Sequence, residues 1–316
     1  MKFSLQAPTH LEQPSFSGHE TFVLRYGWLK KAFDAAIEDP AIFCRDDAIV
    51  QLGVGKNMVR SIRHWALAGC ILAEEPHSRG LRLQPTAFGM YLFGEGGRDR
   101  FLEDINSLWL VHWRICSNER KSTTWAWAFS LMRSTEFTPS SLSLLIASEL
   151  ERRKLKVPPP NTIKRDIDCF LRTYIPARSA KKALLEDSLD SPLVELDLME
   201  YSGPDLVRFK RCSRRTLRDE IFTYCLLNFW NTRASDRETL SFNEIAYDPG
   251  SPGSIFKLDE DSLIRCLESL EVVSKGRLSY ADTAGVKQVY RKGVVTKGVV
   301  IEEELLDECY IPSVAV

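Results

Sequence analysis

The side chains best suited to chemistry lie near the start of the chain, in and just after the segment Ser17-Gly-His-Glu-Thr-Phe22. Hydrolysis of a phosphodiester needs a base for the attacking water, a carboxylate for a divalent metal and a cation for the developing charge. His19, Glu20 and Arg25 supply these three groups, and we take them as the candidate catalytic residues. The residues alone leave a second interpretation open, in which His19 and Glu20 cap the first helix while Arg25 and Lys30 contact phosphate.

Other chemistries are poorly supported. Gly53-Val-Gly-Lys56 resembles a phosphate-binding loop, but Val50 and Asn57 stand where that motif needs glycine and Ser or Thr. Pro204-Asp205 has no Glu-x-Lys partner of the kind that restriction-type nucleases use. The eight cysteines are widely spaced without a CxxC pair, which indicates reduced thiols rather than zinc ligands. We expect no organic cofactor, and metal ligands stay unassigned.

A basic helix is predicted from Lys56 to Ala68, after the turn Gly53-Val-Gly55 and before Gly69. At 100° per residue its cations fall within about a quarter turn, opposite an apolar side centred on Ile62 and Trp65. This division suits a recognition helix, which packs one side and contacts phosphates and base edges with the other. An amphipathic surface helix with chance charges is the alternative. The candidate DNA-binding residues here are Lys56, Asn57, Arg60, Arg63 and His64.

The order of elements around this helix supports DNA binding. Two helices are predicted before it, and a two-stranded hairpin formed by 70–74 and 81–84 after it. Helix, helix, turn, helix, hairpin is the order of a winged helix-turn-helix. We therefore predict a DNA-binding module of this type at 16–97.

A second cationic face is predicted in the middle of the chain. Helices at 138–154 and 161–174 flank a Pro158-Pro-Pro160 turn, like a helix-turn-helix pair. Lys164, Arg165 and Arg172 share the outward face of the second helix and are further candidate DNA-binding residues. The tryptophan-rich stretch at 109–129 either stacks on bases or forms core, and its helical spacing favours core.

The C-terminal part repeats the winged order with the opposite charge. A hairpin is predicted from 193–198 and 206–209, followed by an apolar helix at 217–233. Elements at 242–246, 259–270 and 272–292 then give helix, helix and hairpin. The exposed helix would carry one cation, Arg265, and four acids that would repel DNA: Asp259, Glu260, Asp261 and Glu268. We therefore expect this module to bind protein.

The predicted fold class is mainly α with small β-hairpins (α+β), built from tandem winged helix-turn-helix modules. We divide the chain into a leader at 1–15, the DNA-binding module at 16–97, a helical middle domain at 98–185 and a winged-helix-like domain with an acidic tail at 186–316. The net charge is only −1, yet the segment from 152 to 182 contains ten Lys or Arg and only two acidic residues. No apolar run is long enough for a signal peptide or a membrane span, so we expect a cytoplasmic protein without membrane contact.

Three segments carry a family resemblance: Ser17-Gly-His-Glu-Thr-Phe22, Leu24-Arg-Tyr-Gly-Trp-Leu-Lys30, and Leu52-Gly-Val-Gly-Lys-Asn-Met-Val59 with Ser61-Ile-Arg63 and Trp65. They resemble the opening of SspB-like proteins, the component described as a DNA nickase in bacterial single-strand DNA phosphorothioation systems. The resemblance is dense over 16–70 and general thereafter.

The resemblance implies a DNA-binding subunit of a sulfur-modification system for phage defence, a restriction-modification-like function. Such a subunit would act as an endonuclease dependent on Mg²⁺ or Mn²⁺ that nicks DNA to allow sulfur insertion. Its implied partners are DNA, a cysteine desulfurase and an ATP-dependent sulfur-transfer enzyme. No family catalytic motif is carried over, so the candidate residues rest on their chemistry. The alternative is a non-catalytic DNA-binding adaptor or transcriptional regulator that recruits the sulfur-transfer enzyme.

Overall fold

Helices make up about half of the chain, and small antiparallel sheets join them, which confirms the predicted α+β class. The computed structural model describes residues 14–176, 191–291 and 299–310, with side chains from 304 in the last range. Most of the predicted leader, the last six residues, and the side chains of Glu302 and Glu303 in the predicted acidic tail lie outside this description.

The chain divides into two compact units. We call the described parts of Glu12–Ala128 and Met132–Lys210 the N-terminal unit. Phe129–Leu131 and the described residues from Arg211 onward form the C-terminal unit.

The first half of the N-terminal unit follows the predicted order. Gly55 is extended and begins the third helix, while Gly69 follows its last residue, so the predicted bounds of this helix are confirmed. The two strands pair antiparallel, with Ala73 opposite Gln84. The elements are α1 (Trp28–Glu38), α2 (Ala48–Gln51), α3 (Lys56–Ala68), β1 (Leu72–Glu74), β2 (Leu83–Pro85) and α4 (Ala87–Phe93).

The second half of this unit is largely helical. Thr138 accepts a hydrogen bond from the main chain of Ser141 in a capping box, and Pro160 is the first residue of the next helix. The elements are α5 (Ile105–Ser117), α6 (Thr123–Leu131), β3 (Glu136–Phe137), α7 (Pro139–Arg152), α8 (Pro160–Tyr174), β4 (Met199–Tyr201) and β5 (Val207–Phe209). The end of α6, Phe129–Leu131, is counted with the C-terminal unit. The three strands form one antiparallel sheet with β5 in the centre.

The hairpin predicted from 193–198 is wrong in its first strand. Pro192–Leu196 forms a 3-10 helix, which Ser191 caps and Asp197 ends in a left-handed conformation. The strand that pairs with Val207–Phe209 begins only at Met199. The alternation of apolar residues was misleading because a proline with a serine cap starts a helical turn equally well.

Tryptophan forms the centre of the N-terminal unit. Trp65, Trp109, Trp113 and Trp125 are all at most 1% exposed, and the edge of Trp65 meets Trp125 at 5.3 Å between ring centroids. The prediction that the tryptophan-rich stretch is core is therefore confirmed, and its rings are not available to stack on bases.

The C-terminal unit contains the remaining helices and one three-stranded antiparallel sheet. Ser241 and Glu244 form a capping box, since each side chain accepts from the other residue's main chain. The elements are α9 (Asp219–Arg233), β6 (Thr239–Ser241), α10 (Phe242–Tyr247), α11 (Pro252–Ile255), α12 (Glu260–Glu268), α13 (Leu270–Val273), β7 (Leu278–Thr283), β8 (Val286–Arg291) and α14 (Val299–Cys309). Within the described ranges, no helix has the length and apolar character that crossing a membrane requires.

Candidate nucleic-acid interface

Helix α3 presents cations on one side and buries the other. Val59, Ile62 and Trp65 are buried, and the Trp65 indole donates to the carbonyl oxygen of Phe22 at 3.1 Å. Lys56 and Asn57 are exposed at the start of the helix. Lys56 has no ion-pair partner among the described residues, so its ammonium group is available to an anionic ligand.

Arg60 lies one turn further along α3. Its side chain is 56% exposed, and its Nη1 donates to Oε1 of Glu20 at 3.2 Å. Exposed ion pairs of this kind contribute little to stability, roughly 0–1 kcal/mol. A phosphate group can therefore displace Glu20 at small cost.

Arg63 differs from Arg60, because its guanidinium is directed to the β1–β2 hairpin. Its Nη2 donates to the carbonyl oxygen of Gly80 at 2.9 Å and lies 3.8 Å from Oε1 of Glu74. The side chain is 29% exposed. Arg63 thus holds the hairpin against α3 in this structure.

His64 does not belong to the exposed side of α3, which corrects the helical-wheel prediction for this residue. The residue is 8% exposed, and burial lowers the pKa of its imidazole to about 3, so the ring is neutral. Within the described part of the chain, its Nε2 has no hydrogen-bond partner. The main chain of Gly18 covers the ring so closely that a Cβ on residue 18 would lie 2.5 Å from Nδ1.

Helix α8 provides the second cationic face as predicted. Ile163, Ile167, Phe170 and Leu171 are buried, while Lys164, Arg165 and Arg172 are exposed. Lys164 and Arg165 have no ion-pair partner in the ranges that the structure describes. Arg172 donates from Nη2 to the carbonyl oxygen of Thr21 at 2.6 Å.

His19 is fully buried and both of its ring nitrogens are engaged. Nε2 lies 2.8 Å from Oδ1 of Asp166 on α8, and Nδ1 accepts from the Thr21 amide at 3.0 Å. Because an amide N–H can only donate, Nδ1 carries no proton and Nε2–H donates to the carboxylate. Asp166 also accepts from the Ser17 amide, at 2.5 Å.

Aromatic rings surround the His19–Asp166 pair. The imidazole of His19 meets His64 at 5.7 Å and Trp125 at 5.6 Å between centroids, both edge to face. Asp166 itself is 1% exposed. In this conformation the His19 ring has no surface open to the surrounding solvent, and it forms a buried link between the loop and α8.

Glu20 and Arg25 contact residues other than Asp166, the partner of His19. Glu20 pairs with Arg60, and the Arg25 guanidinium lies over the rings of Phe22 and Trp28, at 5.6 and 5.3 Å from their centroids. Helix α1 begins only at Trp28, with Gly27 as its N-cap, so His19 and Glu20 do not cap it. The three candidate catalytic residues share one loop, but each is held by a different part of the unit.

The loop from Ser17 to Arg25, which we call the linking loop, connects the two cationic helices. It contacts α3 through Glu20–Arg60 and through the carbonyl oxygen of Phe22, which accepts from Trp65. It contacts α8 through His19–Asp166 and through the Thr21 carbonyl, which accepts from Arg172. The two helices predicted separately to bind DNA therefore flank one loop.

The His19–Asp166 pair does not fit a magnesium ion. Mg²⁺ in proteins usually keeps several waters and takes one or two carboxylates. Asp166 is buried and already accepts from His19 and Ser17, which leaves no room for a hydrated ion. The described residues contain no group of three or more His, Cys, Asp or Glu side chains placed to hold a metal.

Asp166 and Gly18 are the residues that sequence reasoning missed. Asp166 lies three residues after Ile163 and four before Phe170, within the apolar face of α8. A carboxylate in an apolar face indicates a buried partner, so this signal was present. The close approach of Gly18 to His64 gives no comparable signal, because it depends on tertiary packing.

The C-terminal unit carries an acidic helix face. Glu260, Asp261 and Glu268 of α12 are exposed, whereas Leu263 and Leu267 are buried. Asp259 is the N-cap of this helix and accepts from the Ser262 amide. This arrangement agrees with the charge predicted for this helix.

Comparisons with known proteins place the chain among relatives of similar length. The family model described as "Protein of unknown function (DUF4007)" matches residues 16–310. The structures "Magnesium ion-bound SspB crystal structure" and "SspB crystal structure" are 31% identical to this chain, cover 95% of it and are covered to 88%, with TM-scores of 0.84 and 0.82. No curated protein matches the chain. The resemblance stated from its opening residues is confirmed.

Proposed function

The chain belongs to the DUF4007 family and is similar to SspB over nearly its whole length, and from this premise we propose that it is the DNA-engaging component of a DNA phosphorothioation system. Its role there is to nick DNA so that sulfur can be installed. Its partners are a cysteine desulfurase and an ATP-dependent sulfur-transfer enzyme.

One observation carries the DNA-binding part of the proposal: two helices with exposed cations flank the linking loop. Lys56, Arg60, Lys164 and Arg165 are exposed, and all four belong to the N-terminal unit. Contacts to phosphate supply most of the affinity for DNA and set its dependence on salt. A duplex that bridges α3 and α8 would neutralise phosphates with cations from both helices.

We assign the base-contacting role to α3 within a winged helix-turn-helix. In such modules the second helix of the motif lies in the major groove. Lys56 and Asn57 stand at the exposed start of α3, where residues of a recognition helix meet base edges. Arg63 acts indirectly by holding the β1–β2 hairpin, and His64 contributes to the core.

Salt-dependent binding tests this interface. Arg60→Ala and Lys164→Ala should each weaken binding to a short duplex and lower the slope of log affinity against log salt by about 0.9. Arg237→Ala is the matched control, because it removes one exposed, ion-paired arginine from the C-terminal unit. Unchanged affinity and slope in both α3 and α8 variants would refute the assignment.

Nicking is tested with supercoiled plasmid. The SspB structure with bound magnesium supports assays with Mg²⁺, and Mn²⁺ is the second ion to try. We expect conversion to open circles by the wild type and its loss in His19→Ala, with DNA affinity kept in both. Conversion at equal rates by the two proteins would exclude His19, and no conversion with either ion would refute the nickase role.

The acidic face of α12 favours a second candidate function, that of a non-catalytic adaptor or regulator. Glu260, Asp261 and Glu268 would repel DNA and attract a basic protein surface. An adaptor of this kind binds DNA and the sulfur-transfer enzyme but cuts nothing. Binding of that enzyme that is lost in Glu260→Lys, together with intact plasmid, would favour the adaptor over the nickase.

A further inference from the structure

The hydrogen bonds of His19 define which ring nitrogen is basic. Thr21 N–H donates to Nδ1, and Nε2–H donates to Asp166. This is the tautomer in which a carboxylate orients one nitrogen and the other keeps its lone pair. The same logic operates in Ser-His-Asp sites, where the carboxylate holds the imidazole and stabilises the imidazolium that forms.

The Thr21 amide masks the basic nitrogen. It lies 3.0 Å from Nδ1, and Thr21 itself is exposed. Glu20 and Thr21 have φ angles of 48° and 69°, in the left-handed region. For a β-branched residue such as Thr this conformation is strained, at a cost of roughly 1–2 kcal/mol. The masking contact therefore lies in a strained part of the loop.

Two arginines hold the masking segment in place. Arg172 donates to the Thr21 carbonyl, and Arg60 pairs with Glu20. Both side chains are exposed and belong to the candidate DNA interface. A DNA phosphate is a stronger acceptor for a guanidinium than a main-chain carbonyl, because both of its partners are charged. Phosphates that bind these arginines would remove both tethers from the loop.

We propose that Asp166 is the positioning residue for His19, and that DNA binding at Arg60 and Arg172 withdraws the Thr21 amide so that Nδ1 of His19 acts as a general base. This inference rests on the proposed nickase function, which it deepens. It also reconciles a fully buried histidine with a role in hydrolysis, because burial describes the state without DNA.

The step balances with water as the co-reactant. A water oxygen bonds to phosphorus while its proton goes to Nδ1, and the imidazolium that results is stabilised by Asp166 through Nε2–H. The phosphorus–oxygen bond of the cut strand breaks, and the leaving oxygen takes its proton from solvent. The proton on Nδ1 then returns to solvent.

The tautomer is measured without DNA or activity. In protein labelled with ¹⁵N at histidine, we expect His19 to give a bare Nδ1 and a protonated Nε2. Asp166→Asn should keep this pattern, because the amide oxygen can still accept from Nε2–H and Ser17 N–H. A proton on Nδ1 of the wild type would overturn the assignment of Asp166.

Hydrogen exchange at the Thr21 amide tests the unmasking. With EDTA present to remove the Mg²⁺ or Mn²⁺ of the proposed nicking reaction, we expect this amide to be protected in the free protein. With a saturating short duplex it should exchange at least tenfold faster. Arg172→Ala should speed exchange without DNA. Arg165→Ala, on the same helix but without contact to the loop, should not. Equal or slower exchange in the duplex complex would overturn the unmasking.

Nicking rates test the positioning role. Asp166→Asn keeps the hydrogen bond to His19 but removes the negative charge that stabilises the imidazolium, so it should lower the maximal rate with little change in DNA affinity. We expect a loss of about 100-fold, within the roughly 10²–10⁴ that general-base catalysis supplies. Asp168→Asn, an exposed neighbour on α8, should act as the wild type does. Full activity in Asp166→Asn would overturn this inference but leave the proposed function standing. A wild type that binds DNA without nicking it would refute the proposed function, whatever Thr21 exchange shows.

Discussion

Acidification probes the burial of His64 directly. Burial lowers the pKa of this imidazole from 6.5 to about 3 in the folded protein. Between these two values the unfolded chain binds a proton that the folded chain does not. The free energy of unfolding therefore falls as the pH falls through this window, and above it the titration of His64 adds no pH dependence.

The size of the effect follows from the shift. One pKa unit corresponds to about 1.4 kcal/mol, so lowering the pH from about 6.5 to about 5 removes about 2 kcal/mol through His64. That is a large part of a typical stability of about 5–15 kcal/mol. Desolvation is the main cause, and His19, Lys121 and Arg63 add to it while Asp166 opposes it.

Urea denaturation at about pH 7.5 and about pH 5 provides the measurement. The wild type should lose about 2 kcal/mol more between the two conditions than His64→Gln does, whatever the absolute stability of the variant. His77→Gln, an exposed histidine of the β1–β2 loop, is the matched control. The reasoning fails if His64→Gln keeps the wild-type dependence, or if the control changes it equally.

Three further predictions concern the packing of Gly18, the contact of Arg63 with the hairpin and the cap of α7. Gly18→Ala places a Cβ 2.5 Å from Nδ1 of His64 and should cost about 1–3 kcal/mol in urea, whereas Gly55→Ala, with nothing within 4 Å, should cost less than half as much. Arg63→Ala should weaken DNA binding yet leave its salt slope unchanged, because its guanidinium holds a hairpin carbonyl; a reduced slope would show a phosphate contact instead. Thr138→Ala should cost about 1 kcal/mol by removing the cap of α7, measured by urea unfolding; no loss would mean that the cap contributes nothing.

Helices α3 and α8 of the N-terminal unit could be predicted because their signals are local. Glycines at 53, 55 and 69 limit α3, and the apolar spacing of α8 separates its buried and exposed sides. The strand predicted at 193–198 does not form, because an equally local signal, Ser191 followed by Pro192, begins a 3-10 helix there. Where two local signals favour different structures, packing against other segments of the chain decides between them. The local sequence pattern does not show that packing.

The candidate site was harder to predict, because it is assembled from distant segments. A helical wheel places His64 at the edge of the cationic arc, and only the packing of Gly18 against it decides that the ring is buried. Asp166 is 147 residues from His19, so no spacing rule joins them. Asp166 falls within the apolar face of α8, which indicates a buried polar partner, but the sequence does not show that this partner is His19.

A purely structural role explains the His19–Asp166 pair incompletely. Burying a carboxylate costs several kcal/mol, and apolar residues of similar size often stabilise a protein as well or better. Here the pair also holds a strained, exposed turn whose two tethers, Arg60 and Arg172, belong to the candidate DNA interface. If the pair only stabilised the fold, a replacement such as His19→Phe with Asp166→Leu would keep DNA binding and any nicking. If it forms a masked base, that double variant should retain its fold and its DNA affinity and lose nicking alone, and a variant that still nicked plasmid would leave only the structural role.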